Sequence, residues 1–200
     1  KIIYQRIVVR ESYLAYKQDL ERLKNKGIEL TSATSDGQKG LIKALKEEFP
    51  GCIHQRCIVH IQRMSLIYLT RNPRTRAGQD IRELVLKLSE INNHDDKDLW
   101  IHCFKRWSEH YHQFLQEKSE SLSGRRWYTH KLLRRTRSLI KNALPNMFHY
   151  LDDKQIPKST NGLETKFSYL KNDLKIHRGL SKENRQNFIL WYNYFKYQNR

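Results

Sequence analysis

The 200-residue chain carries 38 Lys and Arg against 21 Asp and Glu, which gives a formal net charge of +17. Its hydrophobic content of 38% is enough for a folded core, whereas no apolar run approaches the roughly 18 residues of a membrane span and no signal peptide is visible. The positive charge is spread along the chain and mixed with aromatic residues, which favours nucleic acid over a membrane surface as the partner.

The first sixty residues alternate between strand and helix patterns. A β-branched run predicts a strand from about Ile2 to Val9, and the helix that follows is expected to end at Gly27 as its C-cap. A short strand in "IELTSAT", a helix in "QKGLIKALKEEF" and a third strand in "CIHQRCIVH" complete the order. Connections this short are typical of βαβ units, so we expect a partly parallel sheet.

From Ile61 to about Lys158 the patterns are helical only. One helix, predicted from Asp96 to about Glu117, has a stripe of aromatic residues at spacings of three and four: Trp100, Phe104, Trp107, Tyr111 and Phe114. We interpret this stripe as a face of the core. After "IPKSTNG" two further amphipathic helices are predicted, the second in "LSKENRQNFILWYNYFKY".

Asp36 directly follows the second predicted strand, and Gly37 allows a sharp turn beside it. Ligands of open α/β sheets bind outside the carboxyl ends of the strands, so Asp36 is a candidate functional carboxylate. An aspartate before a helix can equally serve as its cap. Cys57 and His60 reach the carboxyl end of the next predicted strand, and we expect them near Asp36 if the two strands are neighbours.

Potential metal ligands are concentrated in the third predicted strand: Cys52, His54, Cys57 and His60. Structural zinc sites usually join ligand pairs from separated segments, and side chains of one strand point to alternating faces. We therefore favour a buried Cys and a hydrogen-bonded His at the edge of an active site over a closed zinc site, for which His102 and Cys103 would be an unspecific second pair. Three cysteines do not make a disulfide framework, which indicates a reducing cytosol.

Glu164 is the second acidic candidate. It could belong to a capping box in which Asn161 is the N-cap. The helix that follows is basic, with Lys166, Lys171, Lys175, His177 and Arg178. A carboxylate at the start of such a helix could hold a metal over a phosphate while the lysines bind the nucleic-acid backbone.

Basic residues cluster in "SGRRWYTHKLLRRTR", which we interpret as a short helical stretch with Trp127 and Tyr128 among its cations. A solvated helix face is the plain alternative, but such a cluster suits a groove for distorted or single-stranded DNA. A smaller basic cluster lies in "RNPRTR". The predicted DNA-binding residues are Arg71, Arg74, Arg76, Arg125, Arg126, Trp127, Lys131, Arg134, Arg135, Arg137, Lys171, Lys175 and Arg178.

The segments "TSDGQKGL", "QRCIVHIQRM" and "STNGLETKFSYLK", in that order, resemble the Mutator-type bacterial insertion-sequence transposases. "YLTRNPRTRAG", "RRWYTHKLLRRTRSLIKNALP" and "HRGLSKENRQNFI" are similar to one branch of that group. The resemblance implies an α/β fold with a ribonuclease H-like core (partly parallel sheet, βαβαβ) that a large all-α insertion interrupts before the helix of the catalytic glutamate. Residues 1–60 would begin the core, 61–158 would form the insertion, and 159–200 would complete the core.

The resemblance also implies site residues. Asp36 matches the second metal-binding aspartate and Glu164 the glutamate of a catalytic carboxylate triad, while Cys57 and His60 match a C-x-x-H pair at the wall of the active site. The two carboxylates are expected within roughly 10 Å of each other to share a metal layer. The family's first aspartate lies on a preceding strand, and no acidic residue precedes Glu11. We therefore expect a fragment that is inactive alone.

The implied chemistry is DNA strand cleavage and strand transfer with two Mg²⁺ or Mn²⁺ ions in the complete enzyme. The implied partners are DNA, as transposon ends and target, and further copies in a homodimer or larger assembly. The expected location is the bacterial cytoplasm, in association with the nucleoid. Three alternatives stay open: an inactive or domesticated DNA-binding remnant, an unrelated metal-dependent nuclease, and a zinc-bearing nucleic-acid-binding regulatory protein.

Overall fold

The computed structural model describes residue 2 and residues 4–197. Their α-helices, in chain order, are α1 (Tyr13–Asn25), α2 (Lys39–Glu48), α3 (Ile58–Leu69), α4 (Arg76–Lys87), α5 (His94–His110), α6 (His112–Gln116), α7 (Lys131–Ala143), α8 (His149–Asp152), α9 (Asn161–Ile176) and α10 (Lys182–Tyr197). The strands are β1 (Ser32–Ser35), β2 (Ile53–Arg56), β3 (Lys118–Glu120) and β4 (Arg126–Tyr128). Short 3₁₀ turns occupy Leu88–Glu90 and Leu144–Asn146.

The chain forms two compact units, each assembled from separated segments. The terminal unit contains the described residues of Lys1–Thr31, Gln38–Cys52 and Thr160–Arg200, and therefore α1, α2, α9 and α10. The central unit contains Ser32–Gly37 and Ile53–Ser159, and therefore all four strands and α3 to α8. The fold is mixed α/β, as predicted, and mostly helical. The division at residues 60 and 158 stays a prediction.

The end of α1 shows why the chain turns where the sequence predicts. Gly27 has a φ of +73°, a left-handed conformation that a residue with a Cβ adopts only with strain. Its N–H donates to the Lys24 carbonyl at 2.9 Å, and the Ile28 N–H donates to the Leu23 carbonyl at 3.1 Å. These two bonds form a Schellman motif, and they confirm Gly27 as the residue that ends the helix.

The predicted first strand is wrong for residues 4–8, which have no regular secondary structure. Side chains hold this segment instead. The Tyr4 hydroxyl donates to Asp19 at 2.9 Å, and Arg6 Nη2 donates to the other Asp19 oxygen at 3.1 Å. Gln5 accepts a bond from Asn193 of α10 at 2.8 Å. A β-branched run favours extended backbone but becomes a strand only when a neighbour pairs with it, and no paired neighbour is present among the described residues.

β1 and β2 form a parallel pair in which Ser32 is opposite Ile53 and Ser35 is opposite Arg56. The chain between them contains α2, so this part of the predicted βαβ order is present. The predicted third strand is too long, because β2 ends at Arg56 and α3 begins two residues later. The C-x-x-H pair therefore lies at a strand-to-helix turn and not within a strand.

The core of the central unit is helical. The predicted aromatic stripe of α5 is confirmed as a core face, since Trp100, Phe104 and Trp107 are each 5% exposed or less. The indole N–H of Trp100 donates to the Leu84 carbonyl at 2.7 Å, and that of Trp107 donates to the Ala77 carbonyl at 2.9 Å. Each ring therefore contributes its full apolar area to the core, on the order of 2 kcal/mol or more, without an unpaired polar group.

The segment predicted as all-helical contains a β-hairpin. β3 and β4 are antiparallel, with Lys118 opposite Tyr128 and Glu120 opposite Arg126. The turn between them includes Gly124 at a φ of +77°. The all-α prediction for residues 61–158 is thus wrong over this hairpin, because strands of three residues are too short to show an alternating pattern. Within the described residues, no helix has the length and apolar character needed to cross a bilayer.

One buried amide links β2 to the helical core. The Gln55 side chain is fully buried, and its Nε2 donates to the carbonyls of Arg56 and Met147, each at 2.7 Å. Its Oε1 accepts from the Tyr150 N–H at 3.3 Å. The same side chain therefore satisfies backbone groups on β2, on Met147 just after the 3₁₀ turn, and on α8.

Gln55→Leu should destabilise the protein by about 2–4 kcal/mol, because it leaves the Met147 carbonyl and the Tyr150 N–H buried without their partner. Urea unfolding followed by circular dichroism measures the change. Gln79→Leu removes one exposed hydrogen bond to Pro73 and is the control, with an expected change of about 0.5 kcal/mol or less. Equal effects of the two substitutions would show that Gln55 has no such linking role.

Candidate active site and nucleic-acid interface

Asp36 is the first residue after β1, at the carboxyl end of the parallel pair, and its side chain is exposed. Gly37 follows with a φ of +93°, so the backbone turns sharply away from the strand. This is the edge of a parallel sheet at which ligands usually bind. The structure therefore places the Asp36 carboxylate where the sequence predicts, on an accessible loop of the central unit.

Ser35 and His54 stabilise the loop that carries Asp36. Ser35 is buried, and its Oγ accepts a hydrogen bond from the Gly37 N–H at 3.1 Å. His54 Nε2 lies 2.8 Å from the same Oγ. The Ser35 carbonyl accepts the Cys57 N–H at 2.7 Å. Contacts on both sides of Ser35 thus define the backbone path on which Asp36 is carried.

Arg56 also stabilises the loop. Its side chain is buried, and Nη2 donates to the Asp36 carbonyl at 3.0 Å. A Cβ built on Gly37 would lie 2.0 Å from the guanidinium carbon, so the guanidinium occupies the space that any other residue at position 37 would need. Burial lowers the pKa of Arg56, and the nearby Asp36 acts in the opposite direction. Arg56 Nε has no hydrogen-bond partner among the described residues.

Arg56 is a site residue that the sequence reasoning missed. The available signal was a charged residue inside a predicted strand, next to a glycine-containing turn in the neighbouring strand. Burying an arginine costs free energy unless its charge is offset and its N–H groups are hydrogen-bonded. Arg56 is nevertheless buried beside Asp36, which indicates that the conformation of this loop depends on it.

Cys57 and His60 lie at the start of α3. Cys57 is the N-cap residue and is fully buried, while His60 lies in the first turn and is half-buried. Because Ser35 is paired with Arg56, Asp36 and Cys57 leave the two strands at the same edge. The structure therefore brings Cys57 to the Asp36 loop, as predicted from strand order. Its role as an active-site wall stays a prediction.

Glu164 lies in the first turn of α9 in the terminal unit. Thr160 is the N-cap and Asn161 the first helical residue, so the predicted cap was wrong by one position. The Glu164 N–H donates to the Thr160 carbonyl at 3.0 Å, and the Thr160 hydroxyl lies 3.5 Å from Glu164 Oε1. A carboxylate in a first turn is stabilised by the helix dipole. Asp36 and Glu164 belong to different units, and their predicted proximity stays a prediction.

The donor chemistry of these two residues fits a hard divalent ion, because Mg²⁺ and Mn²⁺ take carboxylate oxygens. Within the part of the chain that the structure describes, no group of three or more His, Cys, Asp and Glu side chains is placed to hold a metal. The possible zinc ligands are divided between the units, with Cys52 in the terminal one and His54, Cys57 and His60 in the central one. The assignment of Asp36 and Glu164 as metal-binding carboxylates stays a prediction.

The predicted DNA-binding residues lie on several elements and are divided between the two units. Arg71 and Arg74 are exposed in the loop after α3, whereas Arg76 begins α4 and pairs with Asp80 at 2.9 Å. Lys171, Lys175 and Arg178 line a pocket of about 420 Å³ at the turn between α9 and α10 in the terminal unit. His177 and Arg185, which the prediction did not include, line the same pocket.

The basic stretch from Arg125 to Arg137 is not one helix. Arg126 and Trp127 belong to β4, with Arg125 in the preceding turn, and only the residues from Lys131 onward lie on α7. Arg126 pairs with Glu120 across the hairpin at 2.5 Å. The helical interpretation was therefore wrong for its first half, because the turn at Gly124 reverses the chain. The cations of the hairpin and of α7 are on different elements.

One family model matches the chain, and its description reads "Transposase, Mutator family". The match covers residues 1–178 and so includes Asp36, Cys57, His60 and Glu164, together with the predicted DNA-binding residues. Among the described helices, only α10 lies wholly outside the match. No curated protein matches the chain.

The contact between Arg56 and Gly37 can be measured by a double-mutant cycle. Gly37→Ala should cost the strain of a positive φ plus displacement of the guanidinium, whereas in an Arg56→Ala background only the strain remains. We expect a coupling energy of about 1–3 kcal/mol from urea unfolding of the four proteins. Gly124→Ala is the matched control, because its φ is +77° and the nearest atom to its Cβ is 4.0 Å away. A Gly37→Ala cost that is the same in both backgrounds would rule out the contact.

Proposed function

Because the chain belongs to the Mutator family of transposases, we propose that it is the catalytic part of a DDE-type transposase. Its reaction is divalent-metal-dependent cleavage of DNA strands at the ends of an insertion sequence, followed by strand transfer into target DNA. Asp36 and Glu164 are the proposed metal-binding carboxylates. The proposed partners are DNA and further copies of the chain, and the proposed location is the bacterial cytoplasm, at the nucleoid.

The observation that carries this proposal is the Asp36 loop. Asp36 is exposed at the carboxyl end of a parallel strand, while its neighbours Ser35 and Arg56 are buried. The adjacent backbone is held by Ser35 Oγ at 3.1 Å and by Arg56 Nη2 at 3.0 Å. A helix cap needs no such support, whereas a metal ligand must be held close to its productive position. The contacts around Asp36 therefore favour a functional carboxylate over a simple cap.

The parallel pair of β1 and β2, connected through α2, supports the proposed ribonuclease H-like core by supplying one βαβ unit of it. In this proposal the central helices are the insertion, and α9 carries the third carboxylate of the triad. Residues 1–10 contain no Asp or Glu, so the first carboxylate is not among them.

Each proposed residue has one task. Asp36 and Glu164 would hold the divalent ions, which would activate the attacking oxygen and stabilise the leaving oxygen of the phosphodiester. Arg56 keeps the backbone of Asp36 in place through its carbonyl and adds a positive charge beside the carboxylate. The basic residues of α7, α9 and the loop after α3 would bind DNA phosphates, which fixes the position of the strand relative to the carboxylates.

An inactive, DNA-binding remnant is the second candidate. The observation in its favour is that the sequence matches only two of the three carboxylates of the proposed triad, at Asp36 and Glu164. No observation favours the zinc-bearing regulatory protein, since no three-ligand group is present among the described residues.

A protein that carries all three carboxylates of the proposed triad should cleave transposon-end DNA in the presence of Mg²⁺ or Mn²⁺. Asp36→Asn or Glu164→Gln should reduce the cleavage rate by about 100-fold or more, because the metal supplies several kcal/mol of transition-state stabilisation. DNA affinity should stay nearly unchanged. The 200-residue chain alone should cleave poorly. Strand cleavage is measured on labelled duplexes in denaturing gels.

Asp98→Asn is the control, because Asp98 is an exposed carboxylate on α5. Cleavage by the Glu164→Gln protein at the wild-type rate would contradict the assignment of Glu164. A complete protein that binds DNA but cleaves in neither metal would favour the remnant.

DNA binding by the chain should tolerate sequence changes and depend strongly on salt. With three or more phosphates neutralised, the logarithm of the affinity should fall with the logarithm of salt concentration with a slope of about −3 or steeper. Charge reversal at Arg134 and Arg135 should weaken binding. Fluorescence anisotropy with labelled duplexes of unrelated sequence measures both effects, and affinity that does not change between low and moderate salt would contradict the prediction.

A further inference from the structure

A cleft of about 500 Å³ lies on the central unit, between α3, β4 and α7. Its lining residues are Tyr68, Tyr128, Lys131, Arg134, Arg135, Ser138 and Leu139. Three of them are cations, and no carboxylate is among the described residues that line it. The volume is within the range of ligand sites in proteins. The cleft therefore has the size and the charge for an anionic ligand.

The arginines of the cleft are held by tyrosine rings. The guanidinium carbon of Arg134 is 3.6 Å from the centroid of the Tyr128 ring, and Arg134 Nη1 also donates to the Leu115 carbonyl at 2.8 Å. The guanidinium carbon of Arg135 is 5.9 Å from the centroid of the Tyr68 ring. A cation over a ring is attracted by the ring's negative face, which limits the positions of the long side chain. Less freedom is then lost when the guanidinium binds a ligand.

The cations are also close to one another along α7. Lys131 and Arg135 are four residues apart, so they lie on the same side of the helix, and Arg134 is adjacent. Like charges at this spacing destabilise a helix. Both Lys131 and Arg135 are exposed, so a bound anion could reach them. A polyanion bound in the cleft would attract each cation and so offset their mutual repulsion.

We propose that this cleft binds the phosphodiester backbone of DNA, with Lys131 and Arg135 contacting phosphates and Tyr68 orienting Arg135. The identity of the polyanion rests on the proposed function. Recognition is of the backbone and not of stacked bases, because the Tyr128 ring already carries Arg134 and, at 5.5 Å, the Lys118 amine. The cleft is therefore a sequence-tolerant site.

This assignment divides the basic residues of the hairpin and α7 into two groups. Lys131 and Arg135 belong to the cleft, whereas Arg126 is outside it and is paired with Glu120. Tyr68, on α3, was not among the predicted DNA-binding residues and is assigned to the site through its position beside Arg135. Removal of one charge inside the cleft is therefore expected to affect DNA binding differently from removal of one exposed charge elsewhere on the central unit.

The test measures the affinity of the 200-residue chain for labelled duplex DNA by anisotropy over a series of salt concentrations. Arg135→Gln and Lys131→Gln should each reduce the magnitude of the salt slope by about one unit, because one phosphate contact is lost. Lys105→Gln is the matched control and should leave the slope unchanged, because Lys105 is an exposed cation on α5 outside the cleft and was not predicted to bind DNA. Tyr68→Ala should weaken binding about two- to fivefold, and Tyr68→Phe should restore it because the ring is retained.

Circular dichroism confirms that each variant is folded, and Arg134 is left unchanged because it also bonds to the Leu115 carbonyl. Equal slope changes for Arg135→Gln and Lys105→Gln would overturn the cleft assignment and leave the proposed function standing. Absence of DNA binding by the wild-type chain would overturn the proposed function as well. Displacement of DNA by an equimolar amount of inorganic phosphate would also overturn the assignment, because it would show a site for the free ion and not for the backbone.

Discussion

The hydrogen-bonded register between β1 and β2 determines where the candidate catalytic residues of the central unit lie. Ser35 is paired with Arg56, so Asp36 and Cys57 leave the sheet at the same edge. From that edge the Arg56 side chain reaches back over Gly37 to the Asp36 carbonyl. A register shifted by one residue would turn Arg56 to the other face and remove this contact. A pair of four-residue strands thus supports the site, because side chains add to its short ladder.

The same strand pair connects the loop to the rest of the unit. Gln55 is hydrogen-bonded to Met147, which lies just before α8, and to Tyr150, which lies on α8. Because backbone groups in the interior must be paired, the position of β2 is determined by the helical core and not by its four residues alone. Changes in the packing of the helices would therefore reach the Asp36 loop through β2, even where they are remote from it in the sequence.

Some of the positive charges in this protein lie where they lower the stability of the fold. A buried guanidinium at Arg56 loses hydration, and the cations of α7 repel one another. In the first case the Asp36 carboxylate of the same chain offsets part of the cost, and in the proposed second case a bound phosphate backbone would do so. Groups that lower stability alone but improve binding are typical of functional sites.

Local patterns in the sequence determined the aromatic core face of α5, the end of α1 at Gly27 and the place of Asp36 after a strand, because helical spacing, glycine chemistry and chain order are properties of neighbouring residues. The predicted strand at the start of the chain was wrong for residues 4–8, and the hairpin was missed, because pairing depends on a partner and not on propensity alone. Only the tertiary structure decided that Arg56 covers Gly37 and that Tyr68 faces Arg135. Those contacts join residues that are distant in the chain, and no periodicity records which distant side chains will meet when the elements pack.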